Sequence, residues 1–246
     1  MDCYKNFAHI YDELINVDIN YKKWSDEIIK ICEAEGISKD SYLDLACGTG
    51  NLTEEIGLYF KKVWAVDLSY DMLMEAEGKL RKKGIKANFV HQDLSKLKLN
   101  RKFDLITCCL DSTNYLLNDS DIISYLKGVS ELLNDNGLFI FDINSYYKLS
   151  EILGNNIFTY DDEEVFYSWE NEFEDGVVNM YLTFFIRDGQ VYKRFDENHQ
   201  ERAYKEEDVE KFLDEAKLKV VKKLNNYEYK KIDEKTERIV YIIKKA

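Results

Sequence analysis

Tyr42-Leu43-Asp44-Leu45-Ala46-Cys47-Gly48-Thr49-Gly50 is the stretch that decides the fold of this chain. Tyr42 to Ala46 form a short apolar run that reads as a strand. Gly48-Thr49-Gly50 reads as the turn that hands this strand over to a helix reaching about Phe60. Glycines there let backbone amides approach a ligand, and the following helix presents its N-terminus. Downstream, strands and helices alternate. Val63 to Val66 is a second strand ending at Asp67, Tyr70 to Lys83 a helix stopped by Gly84, and Ala87 to Val90 a third strand ending near Asp93. Phe103 to Cys108 is a fourth strand. Asp121 to Leu133 is a helix stopped by the turn Asn134-Asp135-Asn136-Gly137, and Leu138 to Ile143 is a fifth strand. This rhythm predicts a parallel, doubly wound α/β sheet. Upstream, residues 4–35 read as helical, with a break from Asn16 to Asn20.

The rhythm stops after the fifth strand. Residues 155–204 carry two hairpin signals, Glu174-Asp175-Gly176 and Arg187-Asp188-Gly189, flanked by aromatic and β-branched stretches. They predict an antiparallel meander. One face of its central strand is wholly apolar (Val178, Met180, Leu182, Phe184, Ile186), and the other is mixed (Asn179, Tyr181, Thr183, Phe185). A helix from Lys205 to Ala216 and two strands, Lys219 to Leu224 and Ile239 to Lys244, complete a seven-stranded, mainly parallel sheet. The reading is one domain over residues 1–246, with the meander inserted at 155–204 as a lid over the site.

Composition bounds the function. A net charge of −13 disfavours generic binding to a phosphate backbone, although lysines and arginines cluster after Lys217. The five cysteines, Cys3, Cys32, Cys47, Cys108 and Cys109, show no metal-type spacing, so no metal is expected and a reducing cytoplasm suits them. Met1 to Lys5 lacks an apolar signal core, and no apolar run reaches the roughly eighteen residues of a membrane span. Oligomeric state is not legible.

Ligands of open α/β sheets sit beyond the carboxyl ends of the strands, where strand order reverses. Asp67, nineteen residues after Gly48, stands where a carboxylate accepts both hydroxyls of a ribose, and Asp93 where it reaches an adenine. Asp44 lies inside the strand ahead of the glycines and shapes the loop. The third glycine of a dinucleotide fingerprint would fall at Thr53, which disfavours a pyrophosphate and hence NAD.

Leu43 to Gly50 resembles the first motif of class I methyltransferases, which bind S-adenosylmethionine. Val66-Asp67-Leu68-Ser69 with Met72-Leu73 resembles the acidic second strand of that family and its next helix. Gln92-Asp93-Leu94 resembles the adenine-side motif, Phe103 to Ile106 the strand before the acceptor site, and Leu132 to Leu138 the turn before the fifth strand. The resemblance implies S-adenosyl-L-methionine as cofactor. The implied contacts are Asp44, Ala46, Gly48, Gly50, Asp67, Leu68, Met72, Gln92, Asp93, Leu94 and Cys109. Tyr11, with Tyr21 and Trp24, is similar to the N-terminal aromatic segment of glycine N-methyltransferases and is read as cofactor or lid contacts. Cys109 to Leu116 resembles their acceptor-facing loop, which implies Asp111 and Tyr115 as catalytic groups and Asn114 as a substrate contact. Where those enzymes place a carboxylate-binding arginine, this chain has Asn144, followed by Tyr146; both are read as substrate-side residues, and glycine is a doubtful substrate. The insert and the segment Phe195 to Gln200 resemble bacterial methyltransferases whose acceptor the resemblance does not supply.

A sulfonium is already an activated electrophile, so the protein has to orient a nucleophile and exclude water. A neutral amine needs no strong base; a hydroxyl does. His199 is the candidate base, although it lies in a polar strand where exposure is expected. The acids of the insert, Asp161 to Glu164, Glu170, Glu172, Glu174 and Asp175, favour a cationic acceptor if they overhang the site. The leading reading is methyl transfer to a small molecule, with nitrogen ahead of oxygen. The alternatives are a tRNA or protein methyltransferase, and a non-catalytic S-adenosylmethionine-binding module.

Overall fold

The computed structural model describes residues 19–246; the part of the N-terminal segment that holds Tyr11 lies outside the described residues. Helix α1 (Tyr21–Ala34) begins where the Asn20 side chain accepts the Lys23 amide at 2.9 Å, so the expected break ends in an N-cap. Strand β1 (Ser41–Leu45) follows, then α2 (Asn51–Gly57), β2 (Lys62–Asp67), α3 (Tyr70–Lys82) and β3 (Ala87–His91). Ser69 caps α3, and Gly84, in the left-handed region, lies just past its end. Next come β4 (Phe103–Cys108), α4 (Asp119–Leu132), β5 (Leu133–Asn144) and a π-helical turn at Lys148–Leu153. The chain then runs through β6 (Ile157–Asp161), β7 (Val165–Glu174), β8 (Val177–Asp188) and β9 (Val191–Arg202) to α5 (Glu206–Glu215), β10 (Leu218–Asn225) and β11 (Arg238–Lys245).

The seven-stranded sheet has the order β3-β2-β1-β4-β5-β11-β10. Strands β1 to β5 pair in parallel, whereas β11 runs antiparallel to β5 and β10. Every residue of β1 and β4 is buried, as expected of parallel strands covered on both faces. Alternate side chains feed two cores. Leu43, Leu45 and Ile106 pack with Ile122, Leu126 and Val129 of α4 and Phe212 of α5. Tyr42, Leu105 and Ile140 pack with Ile28 and Ile29 of α1 and Ile56 of α2. Strand order reverses between β1 and β4, so the carboxyl ends of those two strands frame the crevice.

One expected turn is absent. Asn134 to Gly137 do not separate α4 from β5 but bulge within β5, whose register on β4 jumps from Phe103↔Leu133 to Leu105↔Leu138. Asn134 Nδ2 donates to Asp104 Oδ1 at 2.7 Å and draws the bulge onto β4. A Cβ at Gly137 would lie 3.0 Å from the Phe103 carbonyl, so only glycine fits.

The meander is a separate four-stranded antiparallel sheet, β6-β7-β8-β9. The β7–β8 turn takes positive φ at Asp175 and Gly176, the conformation a two-residue hairpin needs. Val178 and Met180 pack on Leu149 and Leu153 of the π turn, which covers one face of the meander immediately after β5. Among the described residues no helix is long and apolar enough to cross a membrane.

Candidate functional site

The sequence predicts a cofactor side of the crevice at β1 and β2 and an acceptor side at β4, β5 and β9, and the two sides are named by those expected roles. On the first side the chain takes positive φ at Ala46, Gly48 and Gly50. A Cβ at Gly50 would stand 3.0 Å from both Ala76 Cβ and Leu80 Cδ1, so this glycine lets α3 approach the loop. A Cβ at Gly48 would meet nothing within 4 Å, which leaves its backbone facing open space. Asp67 accepts the Gly48 amide at 2.7 Å and the Ser69 amide at 2.8 Å, one on each oxygen. A carboxylate offers about four acceptor positions, so these two bonds lock the loop and leave capacity for a ligand. Burial raises the pKa of Asp67 above the usual carboxylate value, against the pull of those two amides.

Asp44 points elsewhere. It is buried, takes hydroxyl hydrogen bonds from Thr53 and from Thr107 (2.7 Å), and has its pKa pushed up by burial to about 6. It ties β1 to α2 and β4 beneath the loop, and Thr53 stands in the third-glycine position because its hydroxyl holds this acid. Asp93 caps the short turn Leu94–Lys96, its Oδ1 accepting the Ser95 amide and hydroxyl, both at 2.8 Å. Gln92 is engaged within its own loop: both ends of its amide bond the backbone of Lys98. Leu68 is exposed, Met72 and Cys109 are buried, and Leu94 is half-buried against the core. Trp24 belongs to the core rather than to a lid. It stacks on Tyr227 at 4.4 Å, with the Arg238 guanidinium 5.4 Å from its ring and Tyr21 edge-on at 6.2 Å.

On the acceptor side, Leu110 and Asp111 both adopt left-handed φ, which is strained for residues with side chains. Asp142, wholly buried in β5, holds them there by accepting the Leu110 amide at 2.9 Å and the Asp111 amide at 2.8 Å. Asp142 also accepts the Tyr227 hydroxyl at 2.6 Å and an Arg238 N–H. Arg238 is registered opposite Asn144 on β11 and donates to Asp111 Oδ1 at 2.7 Å and Asn144 Oδ1 at 3.2 Å. An arginine therefore does reach the end of β5, but from the last strand, and it is committed to two acids. Its two carboxylate neighbours outweigh burial and raise its pKa further.

Asn114 is buried, and both of its N–H donors are taken inside the protein. Its Nδ2 donates to the Asn144 and Arg202 carbonyls, at 3.1 and 2.9 Å, and its Oδ1 accepts the Asn144 amide at 3.0 Å. It joins the acceptor loop to β5 and β9 and has no donor left for a substrate. Asn144 in turn donates to Glu201 Oε2 at 2.9 Å and accepts Lys148 Nζ at 2.9 Å. Tyr115 meets the ring of His199 edge-on at 6.0 Å. His199 is only 7% exposed, contrary to the expectation for a polar strand, because alternate residues of β9 (Glu197, His199, Glu201) turn inward. Burial lowers its pKa to about 4. Tyr146 is exposed and lies edge-on to Phe173 of β7.

Arg238, Asp142, Lys148, Glu201 and Tyr227 escaped the sequence reading. The signal available was a charge inside an apolar strand: Asp142 in Leu138 to Ile143, and Arg238 opening Ile239 to Ile243. A buried charge needs a partner, and these two charges are partners.

The family profile described as a methyltransferase domain matches residues 43–137. A crystal structure of an S-adenosylmethionine-dependent methyltransferase from Clostridium acetobutylicum ATCC 824 is similar at 60% identity and a TM-score of 0.93, over 98% of either chain. A protein of Geobacillus sp. (strain WCH70) named "Putative methyltransferase GWCH70_2453" is 33% identical over 246 residues, which is 98% of this chain and 99% of that protein. The sugar N-methyltransferase KedS8 from Streptoalloteichus sp. ATCC 53650 shares the fold, with a TM-score of 0.78 at 18% identity over 96% of this chain and 93% of its own.

Proposed function

We propose that this chain, which belongs to the class I S-adenosylmethionine-dependent methyltransferases, transfers the methyl group to the amine of a small molecule. The residues present fit the cofactor: Gly48 offers open backbone, and Asp67 keeps acceptor capacity beside it. The Gly48–Gly50 loop, Asp67, Leu68, Met72, Asp93, Leu94 and Cys109 are the residues that would hold it. When bound, S-adenosylmethionine supplies a methyl group already activated on sulfur. The protein's own work is then to orient the acceptor and keep water away.

The observation that carries the amine reading is the charge around the acceptor loop. Asp111, Asp142 and Glu201 converge there against two cations, Arg238 and Lys148, with His199 beside them. With Glu201 ionised the three acids exceed the two cations, a setting that favours a cation over a phosphate. The fold shared with an enzyme named as a sugar N-methyltransferase supports the same acceptor class. The β6–β9 meander serves as one wall of the acceptor pocket. Ties from its β9 end support this: Asn114 to the Arg202 carbonyl, Arg202 to the Leu117 carbonyl, Tyr204 to the Leu116 carbonyl, and His199 against Tyr115. A net charge of −13 speaks against nucleic acid, and the free thiols Cys32, Cys47, Cys108 and Cys109 suit a cytoplasmic site of action.

The test is incubation with methyl-labelled S-adenosylmethionine and fractionated cell metabolites, followed by mass spectrometry. The expected product is a small amine gaining one methyl group on nitrogen. Label found only on oxygen, or only in the macromolecular fraction, would overturn the reading.

A further inference from the structure

Glu201 is a buried acid whose setting differs from that of Asp111 and Asp142. It is 3% exposed, lies on β9 between His199 and Arg202, and makes one hydrogen bond among the described residues, from Asn144 to Oε2. The groups that face it are Asp111 from the loop after β4, Asn144 from β5, Lys148 from the π turn and Arg238 from β11. Arg238 is paired with Asp111 and Asp142. Lys148 donates to Asn144 and, among the described residues, comes within ion-pair distance of no carboxylate. Asp111 and Asp142 thus share Arg238, and Glu201, held by the Asn144 amide and facing Lys148, has no cation in ion-pair contact among the described residues. A buried anion in that position is costly until a cation arrives.

We propose that Glu201 receives the acceptor's ammonium group and takes its proton, which makes Glu201 a catalytic residue of the acceptor pocket. This rests on the amine reading above. Position supports it as well as charge. The next residue, Arg202, is fastened by its carbonyl to Asn114 of the acceptor loop at 2.9 Å, and Asn144 bridges Glu201 to the cluster holding Asp111. In the step, the ammonium N–H bond breaks and an O–H bond forms on the carboxylate. The nitrogen keeps the electron pair, which is the nucleophile that methyl transfer needs. The ionised carboxyl is the form that accepts the proton; burial raises its pKa to about 8, which makes it a far stronger base than His199, at about 4.

The test does not require the natural acceptor. Two analogues of S-adenosylhomocysteine serve as probes, with nitrogen in place of sulfur and a two-carbon arm ending in an amine or in a hydroxyl. Calorimetry should give the wild type an amine-over-hydroxyl preference of about tenfold or more, since a charge-assisted bond replaces a neutral one. Glu201→Gln, which mimics a protonated carboxyl, should erase the preference and leave S-adenosylhomocysteine affinity unchanged. A preference retained in Glu201→Gln would overturn the assignment while leaving the amine reading intact. No preference in the wild type would sink the amine reading itself. Should Glu201→Gln fail to fold, the wild-type preference decides the matter: it should grow between pH 7 and 9 as the carboxyl ionises, and a flat profile would overturn the proposal.

Discussion

The two sides of the crevice are built differently. On the cofactor side, most of the groups that shape the loop lie near one another in sequence: Asp67 with Ser69 two residues on and Gly48 nineteen back, Asp44 with Thr53 nine on, Asp93 with Ser95 two on, beside the longer reach of Thr107 to Asp44 over 63 residues. Most of these bonds end on backbone amides or short hydroxyls. On the acceptor side, the bonds span 127 residues from Arg238 to Asp111, 85 from Tyr227 to Asp142 and 57 from Asn144 to Glu201, and each ends on an acidic side chain. The cofactor loop is held by local geometry, and the acceptor loop by a buried electrostatic network. The first should tolerate the loss of one group as a local defect, whereas the second should fail as a unit.

The largest expected effect tests that contrast. Arg238→Ala leaves Asp142 and Asp111 without their cation in a buried setting, and it should cost about 3–5 kcal/mol of folding stability. Urea unfolding of the variant against the wild type measures it. A loss within about 1 kcal/mol would mean that water or proton uptake compensates, and the two sides would not differ in kind.

The same contrast explains what the sequence made legible. The strand–turn–helix order, two of the meander's three hairpins and the seven strands follow from periodicity and turn chemistry, which act over a few residues. The turn expected at Asn134 to Gly137 failed because Asn134 bonds Asp104, thirty residues back, and holds the segment within β5. His199 was expected outside because β9 is polar in composition; only its pairing with β8 turns Glu197, His199 and Glu201 inward together. Arg238 and Asp142 left only the signal of a charge in an apolar run, since each makes sense only beside the other.

Next in size is Asp67→Ala. It removes the carboxylate beside Gly48 and frees the Gly48 and Ser69 amides. Losing charge-assisted bonds of about 1.5–3 kcal/mol each should weaken S-adenosylhomocysteine binding by about 10- to 100-fold, less than additively. The fold should survive, because the residue ends a strand at the crevice. Unchanged affinity in a folded variant would move the ribose partner elsewhere and break the local account of this side.

The pH dependence of stability separates the two sides by a smaller amount. Glu201 has an ordinary value of 4.5 and a folded value of about 8, so from 4.5 to 8 the folded protein keeps a proton that the unfolded chain has released. Its stabilising contribution is full below 4.5 and is lost as pH rises through 8, at up to about 1.4 kcal/mol per unit. Asp44 adds the same sign from 3.8 to about 6. His199 has the opposite sign: lowered from 6.5 to about 4, it contributes above 6.5 and loses its contribution as pH falls. The terms oppose one another below 6.5, so the Glu201 slope stands clear between pH 6.5 and 8. Urea midpoints should fall with pH in that window for the wild type and stay flat for Glu201→Gln. Parallel curves would remove Glu201 as the titrating group.

The smallest effect is expected from Gln92→Ala. Gln92 sits in the same short motif as Asp93, and by sequence the two are equivalent candidates for the adenine side. Their side chains differ in what they hold. Asp93 caps the turn Leu94–Lys96 through Oδ1, so its removal loosens the wall that carries Leu94. Gln92 instead closes the chain between itself and Lys98, with Nε2 on the Lys98 carbonyl at 3.3 Å and Oε1 under the Lys98 amide at 3.0 Å. Both bonds are exposed, so water replaces them at a net cost of about 1 kcal/mol or less in stability. Neither end of the amide is available to a nucleoside without breaking a bond of similar strength. Calorimetry of Gln92→Ala should therefore give an S-adenosylhomocysteine affinity within about twofold of the wild type, and Asp93→Ala a larger loss. A loss of more than about fivefold in a Gln92→Ala variant with an unchanged circular dichroism spectrum would show that the clasp opens on binding. The cofactor side would then share the interdependence now assigned to the acceptor side alone.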